Sequence, residues 1–442
     1  MKLRFRTLIN CFFCSVLLGS GIGFGSIYLF HLILLFTLIF WALLESKQFN
    51  LHAQNPRSIF FGFIVFMFIW YAMTLLWTMN IKYTLIYLFY ILLGLSIVSF
   101  SIFWMSSKKL YAGIFRVLSI TFIVHIVVCL LEIFTPFRLP TSPYSNYAFL
   151  FRRQTIDIES IAPEIGRFME IVPTGFHGNP NNLAVAMAIT LPYFLFLKNN
   201  GIVKFFGIIA ILLIVISTGS KGSFLAILAG LIYYVFMRSK LYFTIIGIVV
   251  ISSFTSISMN IEKLRNSDNP RIAEIGQTAE ALSLYLFSDY EESGGGSISK
   301  RQLLIRNGLD ALWETWGLGV GGGASKAVQE QNQSTITSMH NFWIEILVEG
   351  GVIFFFLFVI WYVSLIIKLN SIFRHSCSDF FRYHAASLTV SLIIFSVGCI
   401  SASTAIYFLP MWLMFGLAIS LIMLYKTEKK KLNHKFDIEI DN

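Results

Sequence analysis

Apolar runs recur along the whole chain, at residues 5–20, 26–44, 58–77, 83–105, 110–133, 181–197, 202–217, 222–237, 241–259, 341–367, 384–402 and 404–425. Each approaches the roughly 20 residues a helix needs to cross a bilayer. The pattern predicts an all-α polytopic membrane protein of about twelve transmembrane helices. Because such runs recur throughout, the first is read as a retained span rather than a cleaved signal. Two long polar segments interrupt the series, and unstructured loops of that length are uncommon unless they do something. The expected organisation is helices 1–5 over 1–133, a first long loop over 134–180, helices 6–9 over 181–259, a large loop over 260–340, helices 10–12 over 341–425 and a basic tail over 426–442. No internal repeat of fixed period is visible.

Charge sets the orientation. Lysine and arginine in short connections mark the cytoplasmic side, and one side collects Lys2, Arg4, Arg6, Lys47, Arg57, Lys108, Lys109, Lys198, Lys204, Arg238, Lys240, Lys368, Arg374, Arg382 and the basic tail. The short loops of the other side hold only Lys82 and Lys221. Both termini are therefore expected in the cytoplasm, and both long loops outside. Only 13% of residues are charged, 56% are hydrophobic and the mean hydropathy is +0.74, which excludes a soluble globular chain. The net charge of +10 is dispersed through loops and tail, so it is read as topology signal and attraction to anionic lipid rather than nucleic-acid binding. Cys11, Cys14, Cys129, Cys377 and Cys399 all fall within or beside apolar or cytoplasm-facing segments, and no structural disulfide, redox or metal site is expected.

The candidate chemistry lies on the outer side. "GFHGNPNNLA", Gly175 to Ala184, suits a helix start, with asparagine as cap and proline in the first turn; alternatively His177, Asn179 and Asn182 present polar groups to a sugar or phosphate. "STGSKGS", Ser217 to Ser223, gathers small residues around a lysine, a combination suited to an anion, although Lys221 is equally read as a snorkelling surface charge. In "ISKRQLLIRNGLDALWETW", Leu304, Leu309 and Leu312 are expected on one face of an amphipathic helix. Arg301 and Arg306 flank it as phosphate clamps or as solvated charges. "EESGGGS" before that stretch reads as a hinge. "GLGVGGG" after it reads as a close-packed turn, since no βαβ unit surrounds it. In "TITSMHNFWIEILVEGG", Asn341, Glu345 and Glu349 fall at i, i+4 and i+8 on one helical stripe, with His340 about 100° round. Ionisable groups in a span usually face the protein interior or a cavity, and His340 has the pKa range of a general base. His31, His125 and Glu132 read as isolated packing or interface residues.

The order of these motifs resembles the O-antigen ligase and Wzy-type polysaccharide polymerase superfamily. "GNPNNLA" is similar to its Asn-Pro-Asn element, "KRQLLIRNGLDALWETWGLGVGGG" to its arginine, amphipathic helix and Gly-x-Gly series, and "HNFWIEILVEGG" to its His-Asn, Leu, Glu-x-Gly element. "STGSKGS" resembles its Ser-Arg-Gly turn, with lysine where arginine is usual, which keeps the charge and loses the bidentate fork. The resemblance implies a metal- and cofactor-independent glycosyltransferase in the bacterial cytoplasmic membrane, its active site facing outside. It would polymerise undecaprenyl-diphosphate-linked oligosaccharide into O-antigen, capsule, exopolysaccharide or teichuronic-acid-type polymer. A ligase delivering the glycan to another surface acceptor is the alternative. In that reading Lys221 and Arg301 neutralise the diphosphate and His340 takes a proton from the acceptor hydroxyl, while Asn341, Asn179, Asn182, Arg306 and Glu349 contact substrate. Membrane lipid and other polysaccharide-assembly proteins are the expected partners. A lipid-linked saccharide transporter would instead place its charged groups near the midplane of paired repeats.

Overall fold

The computed structural model describes residues 2–48, 58–153, 171–198, 200–239, 297–334, 336–402 and 406–440, with isolated positions between 241 and 266. The expected span 241–259 and the "EESGGGS" hinge lie almost wholly outside the described residues. The first helices are α1 (Lys2–Leu18), α2 (Leu29–Gln48), α3 (Ile59–Met73), α4 (Ile81–Trp104) and α5 (Lys108–Phe134). Next come α6 (Pro180–Leu195), α7 (Gly201–Ser217) and α8 (Lys221–Arg238), then α9 (Ser297–Glu314) and α10 (Ser325–Gln331) within the second long loop. The chain closes with α11 (Phe342–His375), α12 (Asp379–Gly398) and α13 (Leu409–Ile440).

Seven of the described helices are long and apolar enough to cross a membrane: Ile59–Leu76, Ile81–Trp104, Lys108–Phe134, Lys221–Arg238, Phe342–His375, Asp379–Gly398 and Leu409–Lys431. Phe5–Leu18, Leu29–Leu43 and Gly201–Ser217 are apolar but shorter. This is a helical multi-pass membrane protein. Three sequence expectations change. The last helix runs on through the basic tail to Ile440, because nothing in "KTEKKKLNHK" breaks a helix. A two-stranded antiparallel ribbon, β1 (Gly23–Phe24) with β2 (Ile27–Tyr28), links α1 to α2. The span expected over 341–367 is interrupted, since Gly351 adopts φ 84° and ψ 169° inside α11.

The core is formed where α12 and the first half of α13 are enclosed by α4, α6, α8 and α11. Ala385, Leu388, Leu392, Phe395, Trp412, Phe415 and Ile419 are all buried there. Without a hydrophobic drive between helices in lipid, close backbone approach does the packing. Trp412 lies flat on Gly94, where an added Cβ would stand 2.2 Å from its indole, and Ile394 fills the equivalent space over Gly230 at 2.3 Å. Helix starts are capped at Asn80, whose Oδ1 accepts from the Tyr83 N–H at 3.1 Å, and at Asn179 and Asn341. Those caps, the ribbon, the start of α13 and the loop helices all lie at one end of the bundle, the end that the charge pattern assigns to the outside.

Candidate functional site

The glycine series and the break in α11 are parts of one structure. Gly317, Gly319, Gly321 and Gly323 have φ values of 77°, 89°, 97° and 68°, a region that side chains other than hydrogen rarely tolerate. Their turn lies against the break at Gly351. The Val320 N–H donates to the Val348 carbonyl at 2.9 Å, the Gly321 N–H to the Glu349 carbonyl at 3.2 Å, and the Val352 N–H to the Gly317 carbonyl at 2.9 Å. The Trp70 indole adds a bond to the Gly350 carbonyl at 2.9 Å. The carbonyls freed where the helix stops are thus satisfied by the loop, as buried backbone requires. A Cβ on Gly319 would stand 2.6 Å from the Glu349 oxygen and the Gly351 nitrogen. The close-packed turn read from the sequence is this clasp. It is also tied to the end of α3, where Trp77 donates to the Gly319 carbonyl at 3.1 Å and the Gly322 N–H donates to Thr74 Oγ1 at 3.2 Å.

Beneath the clasp lies the glutamate stripe. Glu345 and Glu349 are 4% and 0% exposed, so each carboxyl must find partners inside the protein. The Tyr87 hydroxyl donates to Glu345 and Ser325 Oγ donates to Glu349 Oε1 at 2.6 Å. Lys326 lies over the Tyr87 ring at 5.6 Å and its charge acts on both acids. Glu349 Oε2 and the Tyr71 hydroxyl are buried with no partner among the described residues. The glutamates therefore fasten α10 and α4 to the first turns of α11, and they hold no bond to His340. Their partners Tyr71, Tyr87, Ser325 and Lys326 were missed in the sequence because they come from other helices and carry no local motif.

His340 precedes the helix in a left-handed conformation, φ 47°, and the next residue, Asn341, caps α11 by accepting from the Trp343 N–H at 3.2 Å and the Ile344 N–H at 3.4 Å. Asn341 is thus spent on the backbone. His340 is not: its Nδ1 is buried and has no partner among the described residues. Burial, and then the positive charge of Arg301, pull its pKa below the usual histidine value. The charge of Arg301, from the start of α9, thus reaches His340 from a distant part of the chain.

Gln329 holds that arrangement. Fully buried, its Nε2 donates to the Leu304 carbonyl at 2.9 Å and contacts Met339 Sδ at 3.5 Å. Its Oε1 accepts from Asn307 at 3.0 Å and from Ser334 at 3.0 Å. One side chain thereby joins α9, α10 and the irregular segment before His340, over a small core of Ala311, Val320, Ala324, Val328, Met339 and Val348. The α9 helix is amphipathic as expected, but its inward face differs. Leu304 and Leu312 are buried at 2% and 7%, whereas Leu309 is 39% exposed. Five residues of α-helix rotate Leu309 about 140° from Leu304; Gly308 and Ala311 take the inward places. Arg306 points away, exposed, with its Nε 4.0 Å from Asp310 Oδ2, so it is not gathered with Arg301.

The other candidates are more dispersed. Lys221 is exposed at the start of α8. Its turn uses its own hydroxyls, with Ser220 Oγ donating to Ser223 Oγ at 3.0 Å and Thr218 Oγ1 to the Val215 carbonyl at 2.6 Å. Gly222 packs against Ser401, two residues from Cys399, whose carbonyl accepts the Phe342 N–H at 3.3 Å. Lys221 thus borders the end of α12 that abuts the start of α11. Asn179 is the cap of α6, accepting from the Asn181 and Asn182 N–H groups at 2.9 and 3.2 Å. Asn182 and His177 line a small polar pocket with Ser20 and Tyr407; burial pushes His177 down to about 4. His125 and Glu132 are not isolated. His125 Nε2 accepts from the Phe176 N–H at 3.3 Å, and Glu132 Oε2 accepts from the Thr174 and Gly175 N–H groups at 2.9 and 2.7 Å. His31 accepts the Tyr28 N–H at 3.1 Å.

Residues 206–359 match the O-antigen ligase family, a stretch that contains Lys221, Arg301 and His340 and excludes Asn179 and Asn182. The chain is also 20% identical, over 446 aligned positions, to the teichuronic acid biosynthesis protein TuaE of Bacillus subtilis (strain 168), covering 96% of this chain and 84% of that protein. Both matches agree with the resemblance to the O-antigen ligase and polymerase superfamily.

Proposed function

We propose that this protein is a polymerase joining lipid-linked oligosaccharide repeat units into a surface polysaccharide at the outer face of the cytoplasmic membrane. The observation that carries the reading is His340 at the start of α11, a histidine whose Nδ1 is buried without a partner among the described residues and whose pKa is lowered by burial and then by the charge of Arg301. A neutral imidazole that feels a nearby positive charge is suited to taking a proton while negative charge grows on the leaving group.

In this mechanism the acceptor sugar hydroxyl gives its proton to His340 as its oxygen bonds to the anomeric carbon of the donor. The bond from that carbon to the diphosphate breaks, and undecaprenyl diphosphate leaves with the electron pair. Arg301 stabilises the leaving charge, with Lys221 approaching from the end of α12. Arg306 has no part in it, and Asn179 and Asn341 serve by fixing two helix starts. Glu349 acts at one remove, by holding α10 and the glycine clasp on α11. The teichuronic acid relative supports a polymer outcome, and the O-antigen ligase match supports transfer from a lipid-linked donor.

Purified protein incubated with undecaprenyl-diphosphate-linked repeat units should give a ladder of products on a gel. A single addition to a different acceptor would make it a ligase. No new glycosidic bond with any acceptor would leave a transporter and sink the proposal.

A further inference from the structure

An apolar cavity lies away from His340, in the body of the bundle. It has a volume of about 220 Å³ and runs between α5, α6 and α13, with α7 and α12 closing its sides. Its lining on α5 extends from Phe115 to His125, and along α6 and the residues just after it from Ala186 to Leu197. At 1.5 Å per residue each stretch is roughly 15 Å long, about half the hydrocarbon thickness of a bilayer. The walls are almost entirely apolar, and the lining residues Ile123 and Val203 are 51% and 42% exposed, so the slot opens sideways between α5 and α7 toward lipid.

One end of the slot is different. His177 and Pro410 line both this cavity and the small polar pocket that contains Ser20, Asn182 and Tyr407. Beside that pocket, Arg153 donates to the Ser20 carbonyl at 3.0 Å and to the Tyr28 hydroxyl at 3.3 Å. Its Nε is buried with no partner among the described residues. An apolar slot one leaflet deep thus ends in a polar mouth with a cation beside it, complementary to a single-chain lipid bearing an anionic head. A two-chain phospholipid would leave its second chain outside.

The mouth opens at the same end of the bundle as His340 but is separated from it by a row of rings. His177 stands 5.8 Å from Phe408, Phe408 6.3 Å from Phe395, and Phe395 5.7 Å from Phe342, two residues from His340. We infer that this slot holds the head-proximal isoprene units of a polyprenyl-diphosphate-linked saccharide, with the diphosphate at the mouth beside Arg153. Resting on the polymerase reading, it is the place of the acceptor, whose sugars extend over the ring row toward His340 while the donor diphosphate occupies the Arg301 side. A polymerase must hold two lipid-linked substrates at once, and the ring row keeps their chains apart.

The test is photolabelling of the full-length protein in lipid nanodiscs with a diazirine-bearing geranylgeranyl phosphate, with labelled peptides mapped by mass spectrometry. Labels are expected on α5, α6 and α13, displaced by undecaprenyl phosphate and not by an equal amount of dioleoylphosphatidylglycerol. Thr190→Trp, which fills the slot from α6, should cut that labelling at least tenfold, and Ser119→Trp should do the same from α5 should the first variant fold poorly. Labelling that avoids these helices, that persists in both variants, or that phosphatidylglycerol displaces equally well would overturn the slot. The product ladder is read separately, so slot labelling in a protein that makes no ladder would remove the polymerase reading and leave the lipid site standing.

Discussion

Two turns at the same end of the bundle carry the polar motifs of this sequence, and they use their polar groups differently. At Thr174–Asn182, the Asn179 side chain caps α6 and His125 and Glu132 take the N–H groups of Thr174, Gly175 and Phe176. The motif there is largely consumed in holding its own backbone. At His340–Gly351, Asn341 is likewise spent as a cap and the carbonyls at the helix break are met by the glycine clasp. Each turn leaves a buried carboxylate oxygen without a partner among the described residues, Glu132 Oε1 in the first and Glu349 Oε2 in the second; what sets the second apart is a histidine, His340, whose Nδ1 is also unspent and which feels the charge of Arg301. A buried polar group without a partner costs stability, so unspent capacity is a better pointer to chemistry than polarity.

This contrast yields graded expectations. The largest effect belongs to Arg301→Ala, which should remove most polymer elongation while the protein still inserts into the membrane; the outcome is read as polymer length against protein level in membranes. A normal polymer would end the assignment of Arg301 as a clamp. Next, Gly319→Ala forces a side chain into a positive-φ position facing the Glu349 carbonyl. It should cost about 1–3 kcal/mol and lower both the melting temperature in detergent and the activity. A variant as stable as the parent would dissolve the clasp. Ser325→Ala deprives Glu349 of its hydroxyl donor and should cost about 1–3 kcal/mol, measured in the same way.

Smaller still is Asn179→Ala, which should cost about 1 kcal/mol as a lost cap and leave the rate per folded molecule unchanged. A loss of rate without loss of stability would return the first turn to the chemistry. The pH profile supplies the finest discrimination. The pKa of His340 is lowered from its usual 6.5, so the neutral base predominates at pH 7 and is lost only as pH falls through a value below 6.5. The acid limb of the rate should lie there, and a limb at or above 7 would mean that a different group titrates.

Much of this architecture was legible from the chain because lipid imposes length on apolar runs, and the helices fall close to those runs wherever the residues are described. The helix starts at Asn179 and Asn341 were legible for a local reason, since capping involves only neighbours in sequence. The break at Gly351 was not, because a glycine pair inside an apolar run is compatible with close helix packing, and only the distant clasp makes the positive φ affordable. Leu309 was misplaced because leucine identity outweighed helical phase. Arg301 was separable from Arg306 only through the family resemblance; in the structure the difference is that Arg306 lies exposed beside Asp310, whereas the charge of Arg301 acts on His340. Tyr87, Ser325 and Gln329 left no signal, since their roles exist only once α4, α9 and α10 meet α11.

In the proposed mechanism His340 accepts the proton from the attacking hydroxyl. This step is tested most directly by comparing wild type and His340→Ala, purified at equal folded concentration, in the rate of product formation from lipid-linked repeat units. The expected result is a loss of between about a hundredfold and ten-thousandfold with photolabelling by polyprenyl phosphate retained. A ladder formed at the wild-type rate would contradict it.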